Sequence, residues 1–345
     1  MSGTAAEVSV VHASAERGIV SNDNRMGSVI RRLIANDMNP VALRTNDVLF
    51  NRDWIAVDQK IIMVARQRLV GVADLFAKGL TYPIAQALGV TRIEWEKISD
   101  MGTADVNMSG VAEGENDRIL WDLDYLPLPI VHKNFNLNIR ALTASRRMGH
   151  PIDTTQVALA TRIVVEKLED ILFNGGLNVG SQGQVYGYTN APNAKTGALG
   201  GDWSTSGTVY TGEQRLADLQ LIFDALGNAP NYMKGPYMIY MPTAWYNRLG
   251  DDFKTYSDRT ILERFLAMPQ VQGIKPSSNL DTAGKMVVIQ MTDDVVDLID
   301  GIQPMAVSWP SEGGMVENFK IMAILVPRLK STYSGQSGVY VATNG

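Results

Sequence analysis

The stretch from Thr91 to Lys133 constrains this chain more than any other. Thr91 to Ile98 alternates, with Ile93 and Trp95 on one side and Arg92, Glu94 and Glu96 on the other, as a strand with one solvated face does. Asp100 to Arg118 (DMGTADVNMSGVAEGENDR) is rich in Gly, Asp and Asn and almost free of large apolar groups. Alternation resumes at Ile119, with Trp121, Leu123 and Tyr125 set against Asp122 and Asp124. The sum is a long two-stranded hairpin with a loose tip. Such a ribbon is marginally stable alone in water and needs a surface to pack on. At about 3.3 Å per residue its arms and tip reach some ~40–60 Å, while a compact chain of this length has a radius of gyration of only about 20 Å. The hairpin is therefore expected to project beyond the body as a docking element with aromatic residues on one face. The alternative is a hairpin folded back onto its own sheet.

Around it the chain divides into segments of different character. Residues 1–50 are mixed and polar, with Gly18, Gly27 and Pro40 and one short apolar cluster, Val29 to Ile34. They read as an extended arm that seeks a surface on its own body or on a neighbour, or as a disordered tail. Residues 51–90 are expected to hold a helix from Asp53 to Leu75, with Ile55, Ile62, Val64, Ala65, Leu69 and Val72 as its stripe, and an irregular connector around Pro83. After the hairpin comes a short strand, Phe135 to Leu142, and then the strongest helix of the sequence, 153–173. Asp153 and Gln156 give it a capping-box-like start; Val157, Ala160, Ile163, Val164, Leu168, Ile171 and Leu172 form its apolar face; Asn174, Gly175 and Gly176 end it. At ~1.5 Å per residue this is a rod of ~30 Å, a spine for the molecule. A loop rich in Gly, Asn, Ser and Thr runs from 174 to 210. A second unit follows: a helix from Glu213 to Leu226, a strand from Tyr237 to Met241, short helices around Ala244–Leu249 and Thr260–Met268, and strands at Lys285–Met291, Met305–Trp309 and Phe319–Val326. No regular βαβ repeat occurs, so the class is α+β.

A search for chemistry returns little. With no Cys there is no disulfide, thiolate metal site or cysteine nucleophile. The three His (His12, His132, His150) have no partner at metal-ligand spacing. No phosphate loop, nucleophile elbow or dinucleotide fingerprint is present. Asp293, Asp294, Asp297 and Asp300 hint at a cation site, but without the spacing of a calcium loop they read as a solvated acidic turn. Glu166, Glu169 and Asp170 read as the solvated face of the spine helix. These absences predict no catalytic, cofactor or metal residue, and a protein that is not an enzyme. The start lacks the basic and apolar regions of a secretion signal, and no apolar run approaches the roughly 18 residues of a membrane span, so a soluble product is expected. A net charge of −5 argues against a dedicated nucleic-acid binder, though not against a container for DNA.

The order of parts carries a resemblance. An arm, a helix, a projecting hairpin, a short strand, a spine helix and a separate α+β unit look like the Hong Kong 97-like capsid architecture of tailed-phage major capsid proteins, in its encapsulin-related branch. DWIAVDQKIIMVARQRLVGVADLF at 53–76 and LPLPIVHKNFNLNIRALTASRRMGHPID at 126–153 are similar to segments of that family, and LEDILFNGG followed by VYGYTNAPN resembles its helix end and turn. The resemblance covers roughly residues 50–330. It implies an N-terminal arm (1–50), an N-terminal helix and connector (51–90), an extended loop (91–133), a peripheral domain (134–210), an axial domain (211–310) and a C-terminal strand returning to the peripheral domain (311–345). It further implies a subunit that self-assembles, as hexamers and pentamers, into an icosahedral virion shell in the host cytoplasm. Its partners would be further copies of itself, a portal, a scaffold or decoration protein and non-specifically packaged double-stranded DNA, with no membrane. The assembly residues expected on the hairpin are Ile93, Trp95, Lys97, Trp121, Leu123 and Tyr125. Some relatives link Lys to Asn across subunits; Lys97 is a conceivable donor without an assignable partner. Two other readings stand beside this one: an encapsulin-type compartment holding a cargo enzyme, and a soluble α+β enzyme with an unrecognised site.

Overall fold

The computed structural model describes residues 9–12, 51–101, 108, 118–140, 143, 154–179, 183–254 and 259–345. The expectations for most of the arm, for the hairpin tip and for the cap at Asp153 lie outside those residues. In chain order the elements begin with β1 (Ser9–His12), α1 (Asn51–Arg68), α2 (Gly71–Ala77), β2 (Thr81–Pro83), β3 (Val90–Ile98), β4 (Trp121–Pro127) and β5 (Val131–Asn138). The spine is α3 (Thr155–Asn174), followed by β6 (Leu177–Asn178), β7 (Gln184–Val185) and β8 (Lys195–Ala198). The last part holds α4 (Gly212–Gly227), β9 (Tyr237–Met241), α5 (Thr243–Arg248), α6 (Ile261–Leu266) and β10 (Val271–Pro276). It ends with β11 (Lys285–Gln290), β12 (Val296–Ser311), β13 (Val316–Leu329) and β14 (Val339–Thr343).

Two sheets organise the body. One has four strands in the order β2-β12-β13-β5, built on the long antiparallel β12–β13 pair; the other has five, in the order β10-β9-β11-β14-β8. Strand alternation sorts the five-stranded sheet into two faces. Met238, Tyr240, Val287, Ile289, Val339 and Val341 join a core shared with α1, α2, α3 and the four-stranded sheet. Tyr237, Ile239, Met241, Met286, Val288 and Ala342 form a second core with α4, α5 and α6. The spine helix thus sits between both sheets, and Asn174 at its end reaches the Asn279 carbonyl at 3.3 Å.

Several expectations change in the light of this topology. The strand β12 lies in the four-stranded sheet with β5, so residues 296–310 do not group with the 211–310 segment. Conversely β8 and the C-terminal β14 pair with each other and extend the five-stranded sheet, which moves them out of the 134–210 and 311–345 segments. These pairings are non-local, and residues far apart in sequence give no periodicity signal of them. The expected short strand at 135–142 lies earlier, as β5, paired along β13 with Phe135 stacked on Phe319 at 5.0 Å between centroids.

The helix expected at 53–75 breaks in two, and Glu169 caps the start of the second piece. That residue is buried on α3, contrary to the solvated-face reading. Its Oε1 accepts from the backbone N–H of Val70 at 3.1 Å and Gly71 at 2.6 Å, and its Oε2 from Val72 at 3.4 Å. The first N–H groups of a helix have no partner inside it, and here a carboxylate from another helix supplies one. Gly71 allows the approach, since a Cβ there would lie 2.7 Å from Leu172 Cδ2. Along α1 the buried side is Val57, Ile61 and Val64, which leaves Ile55 and Ile62 exposed.

The acidic turn resolves differently as well. Asp297 is buried in β12, opposite Arg328 of β13. Arg328 Nε donates to Asp297 Oδ1 at 2.8 Å and its second amino group to Oδ2, while Lys330 Nζ stands 3.0 Å from the same carboxylate. Asp297 is an ion-pair partner and Asp293 remains exposed.

The Gly-rich end of the spine also has a definite reason. Gly175 and Gly187 back onto each other so closely that a Cβ on Gly187 would lie 2.4 Å from the Gly175 nitrogen. Asn190 Oδ1 accepts from the Gly187 N–H at 2.6 Å, and Tyr188 is driven into the core against Phe173. The VYGYTNAPN stretch is therefore a clasp on the C-terminus of α3.

Candidate assembly surface

The hairpin is a three-stranded ribbon in the order β1-β3-β4, with Ser9–His12 antiparallel along the outer edge of β3. The β3–β4 register sets Ile93 opposite Leu126, Trp95 opposite Asp124 and Lys97 opposite Asp122. On the alternate positions Glu94 faces Tyr125, Glu96 faces Leu123 and Ile98 faces Trp121. Residues directly opposite in an antiparallel pair share a face. The six residues expected to act together are therefore divided between two faces.

Ile93 and Trp95 point into the body. Ile93 is fully buried and Trp95 is 9% exposed, in a core with Leu126, Ile171, Ile299, Ile324 and Val326. The Arg328 guanidinium lies 5.5 Å from the Trp95 ring and 5.0 Å from that of Tyr82, so the ion pair with Asp297 also clamps the hairpin base. Lys97 stays on the same face, 2.5 Å from Asp124 and 3.3 Å from Ser331 Oγ, to which Asn193 also donates at 3.2 Å. This corrects the expectation for Ile93 and Trp95: their apolar surface is spent on the chain's own core, as in the folded-back alternative, and Lys97 is held by its own strand partner.

The other face is open. Trp121 is 62% exposed, Leu123 54% and Tyr125 47%, with Ile98 beside them and Ile119, Leu120 and Met101 exposed toward the tip. Tyr125 rests an edge on the body, over Gly183, where a Cβ would meet its Cε2 at 2.4 Å. Burying a large apolar side chain is worth about 1.5–3 kcal/mol, so covering the half-exposed row would yield on the order of 3–5 kcal/mol. That is too little for one tight contact and enough for a repeated one.

No cluster of three or more His, Cys, Asp or Glu that could hold a metal occurs among the described residues. Among them, too, no helix is long and apolar enough to cross a membrane.

Comparison with known proteins places this geometry. The fold is similar to that of the virus-like particle from Pyrococcus furiosus, with a TM-score of 0.60 and 16% identity over 86% of this chain and all of that one. It is also similar to the capsid of Myoviridae phage XM1 (TM-score 0.57, 11% identity, 78% of this chain and 91% of that one). In sequence, 22% identity over 82% of this chain and 90% of the other relates it to the type 1 encapsulin shell protein EncA of Myxococcus xanthus. The architecture is thus the Hong Kong 97-like capsid fold, shared by phage capsid proteins and the encapsulin branch. The chain itself belongs to a family of unknown function, DUF6260, whose model matches residues 43–342.

Proposed function

We propose that this protein is the subunit of a closed protein shell of the tailed-phage type, assembled from hexamers and pentamers around double-stranded DNA, and that it is not an enzyme. One observation carries the reading. A chain with the capsid fold over most of its length holds a half-exposed apolar row, Trp121, Leu123 and Tyr125, on the outward face of its extended hairpin. The reading assigns that row to an adjacent copy, with the five-stranded unit directed toward the local symmetry axis. Each contact is weak, but closure of many into a symmetric shell makes later ones form at high effective concentration. Portal, scaffold or decoration proteins would join at other surfaces.

A second reading rests on the Myxococcus xanthus relative: a compartment that holds protein cargo in a cell. Negative-stain microscopy of the expressed chain tests the shell directly. Closed particles are expected, and only free chains would overturn it. Nuclease-protected DNA in particles from the natural source would select the virion; co-purifying protein without DNA would select the compartment.

A further inference from the structure

The short helix α2 has no side-chain cap at its start, closes its end with its own backbone bonds from Lys78, Gly79 and Leu80, and is tied from outside along its length. Its start hangs on Glu169 of α3, through the three N–H bonds described above, and Val70 at the cap position supplies no side-chain bond. Its middle and end are tied to the five-stranded sheet. Asp74, itself buried, accepts from Tyr240 Oη of β9 at 2.8 Å and from Lys275 Nζ of β10 at 2.6 Å, and Lys78 donates to Gln272 of β10. Tyr240 in turn stands edge-on to Phe173 of the spine at 5.1 Å. Charge-assisted bonds of this kind are about twice as strong as neutral ones. Apolar anchoring adds to these bonds: Val72 and Leu75 are buried in the main core, and Phe76 packs against it.

We propose that α2 is a strap across the seam between the spine helix and the five-stranded unit, with Asp74 as its releasable fastening. Engaged, it fixes how that unit sits on the spine. Released, it lets the unit shift against the spine by small rearrangements of the core they share, while the second core behind the sheet stays intact, which gives one subunit more than one curvature. The consequence for curvature rests on the shell reading; the strap itself does not.

The test is Asp74→Asn in the full chain, with Lys275→Met as a second variant that leaves the carboxylate in place. Asn keeps the acceptor for Tyr240 and removes the ion pair. Hydrogen exchange of Val72 to Lys78 is expected to speed up at least about tenfold in both variants, while the centre of α3, Val164 to Leu172, keeps its wild-type rates. Particles of either variant are expected to show a different diameter distribution from wild type. Unchanged exchange in α2, or an equal rise in α2 and α3, would overturn the strap, as would an identical diameter distribution for its role in curvature. A wild-type chain that forms no particle sinks the shell reading, and the exchange result still decides the strap.

Discussion

Arg328 holds three things at once: the buried Asp297 carboxylate, the Tyr82 ring and the Trp95 ring at the hairpin base. Removing one partner of a buried ion pair leaves the other charge uncompensated, which costs about 3–5 kcal/mol. Arg328→Met should therefore lower stability by about that much in urea unfolding, even though Lys330 remains near Asp297; a loss below about 1 kcal/mol would contradict the assignment. Glu169 gives a pH signature. Burial raises its carboxyl above the ordinary value of 4.5, helped by the charge of Asp74 and opposed by the three N–H donors. A raised value means that the folded chain binds this proton more tightly than the unfolded one does. The stabilisation is thus complete below the ordinary range and is lost as pH rises through the folded value. Glu169→Gln should remove that fall from the urea midpoint measured against pH, and parallel profiles for the two proteins would refute it. Neither residue shows its role in sequence. Glu169 finds its donors about a hundred positions away, and the partner of Asp297 is fixed only when β12 pairs with β13.

At the scale of elements, amphipathic spacing made α3 and α4 legible, and Pro242 marked the end of β9. Alternation likewise announced both hairpin strands. What it could not give was their relative phase. A one-residue change in register carries every side chain to the opposite face, and the count of residues around the tip does not settle it. Ile93 and Trp95 thus share a face with Asp122 and Asp124, and the outward row consists of Trp121, Leu123 and Tyr125. The strands β8, β10 and β14 went unread because they are short and pair with distant or parallel neighbours. The glycine clasp on the spine makes a sharp test at this scale. A methyl group on Gly187 meets backbone on two sides, so Gly187→Ala should destabilise by about 2–3 kcal/mol. Gly89, with open space at its Cβ position, should accept Ala within roughly 0.5 kcal/mol. Equal thermal shifts for the two variants would discount the clasp.

For the whole molecule, the sequence revealed the order of parts more than any site. Helix, hairpin, spine and second unit follow one another in a chain whose fold is similar to that of the virus-like particle and the phage capsid. The two units meet along a core shared by α3 and both sheets, while Trp121, Leu123 and Tyr125 of the hairpin stay about half-exposed. The central claim is that this bare face finds its cover on another copy. Sedimentation velocity of the wild-type chain beside a triple variant, Trp121→Ser, Leu123→Ser and Tyr125→Ser, tests it most directly. The account predicts one large closed species for wild type and a folded single chain for the variant, with wild-type circular dichroism. A wild-type protein that sediments as one chain, or a variant that assembles as wild type does, would contradict it.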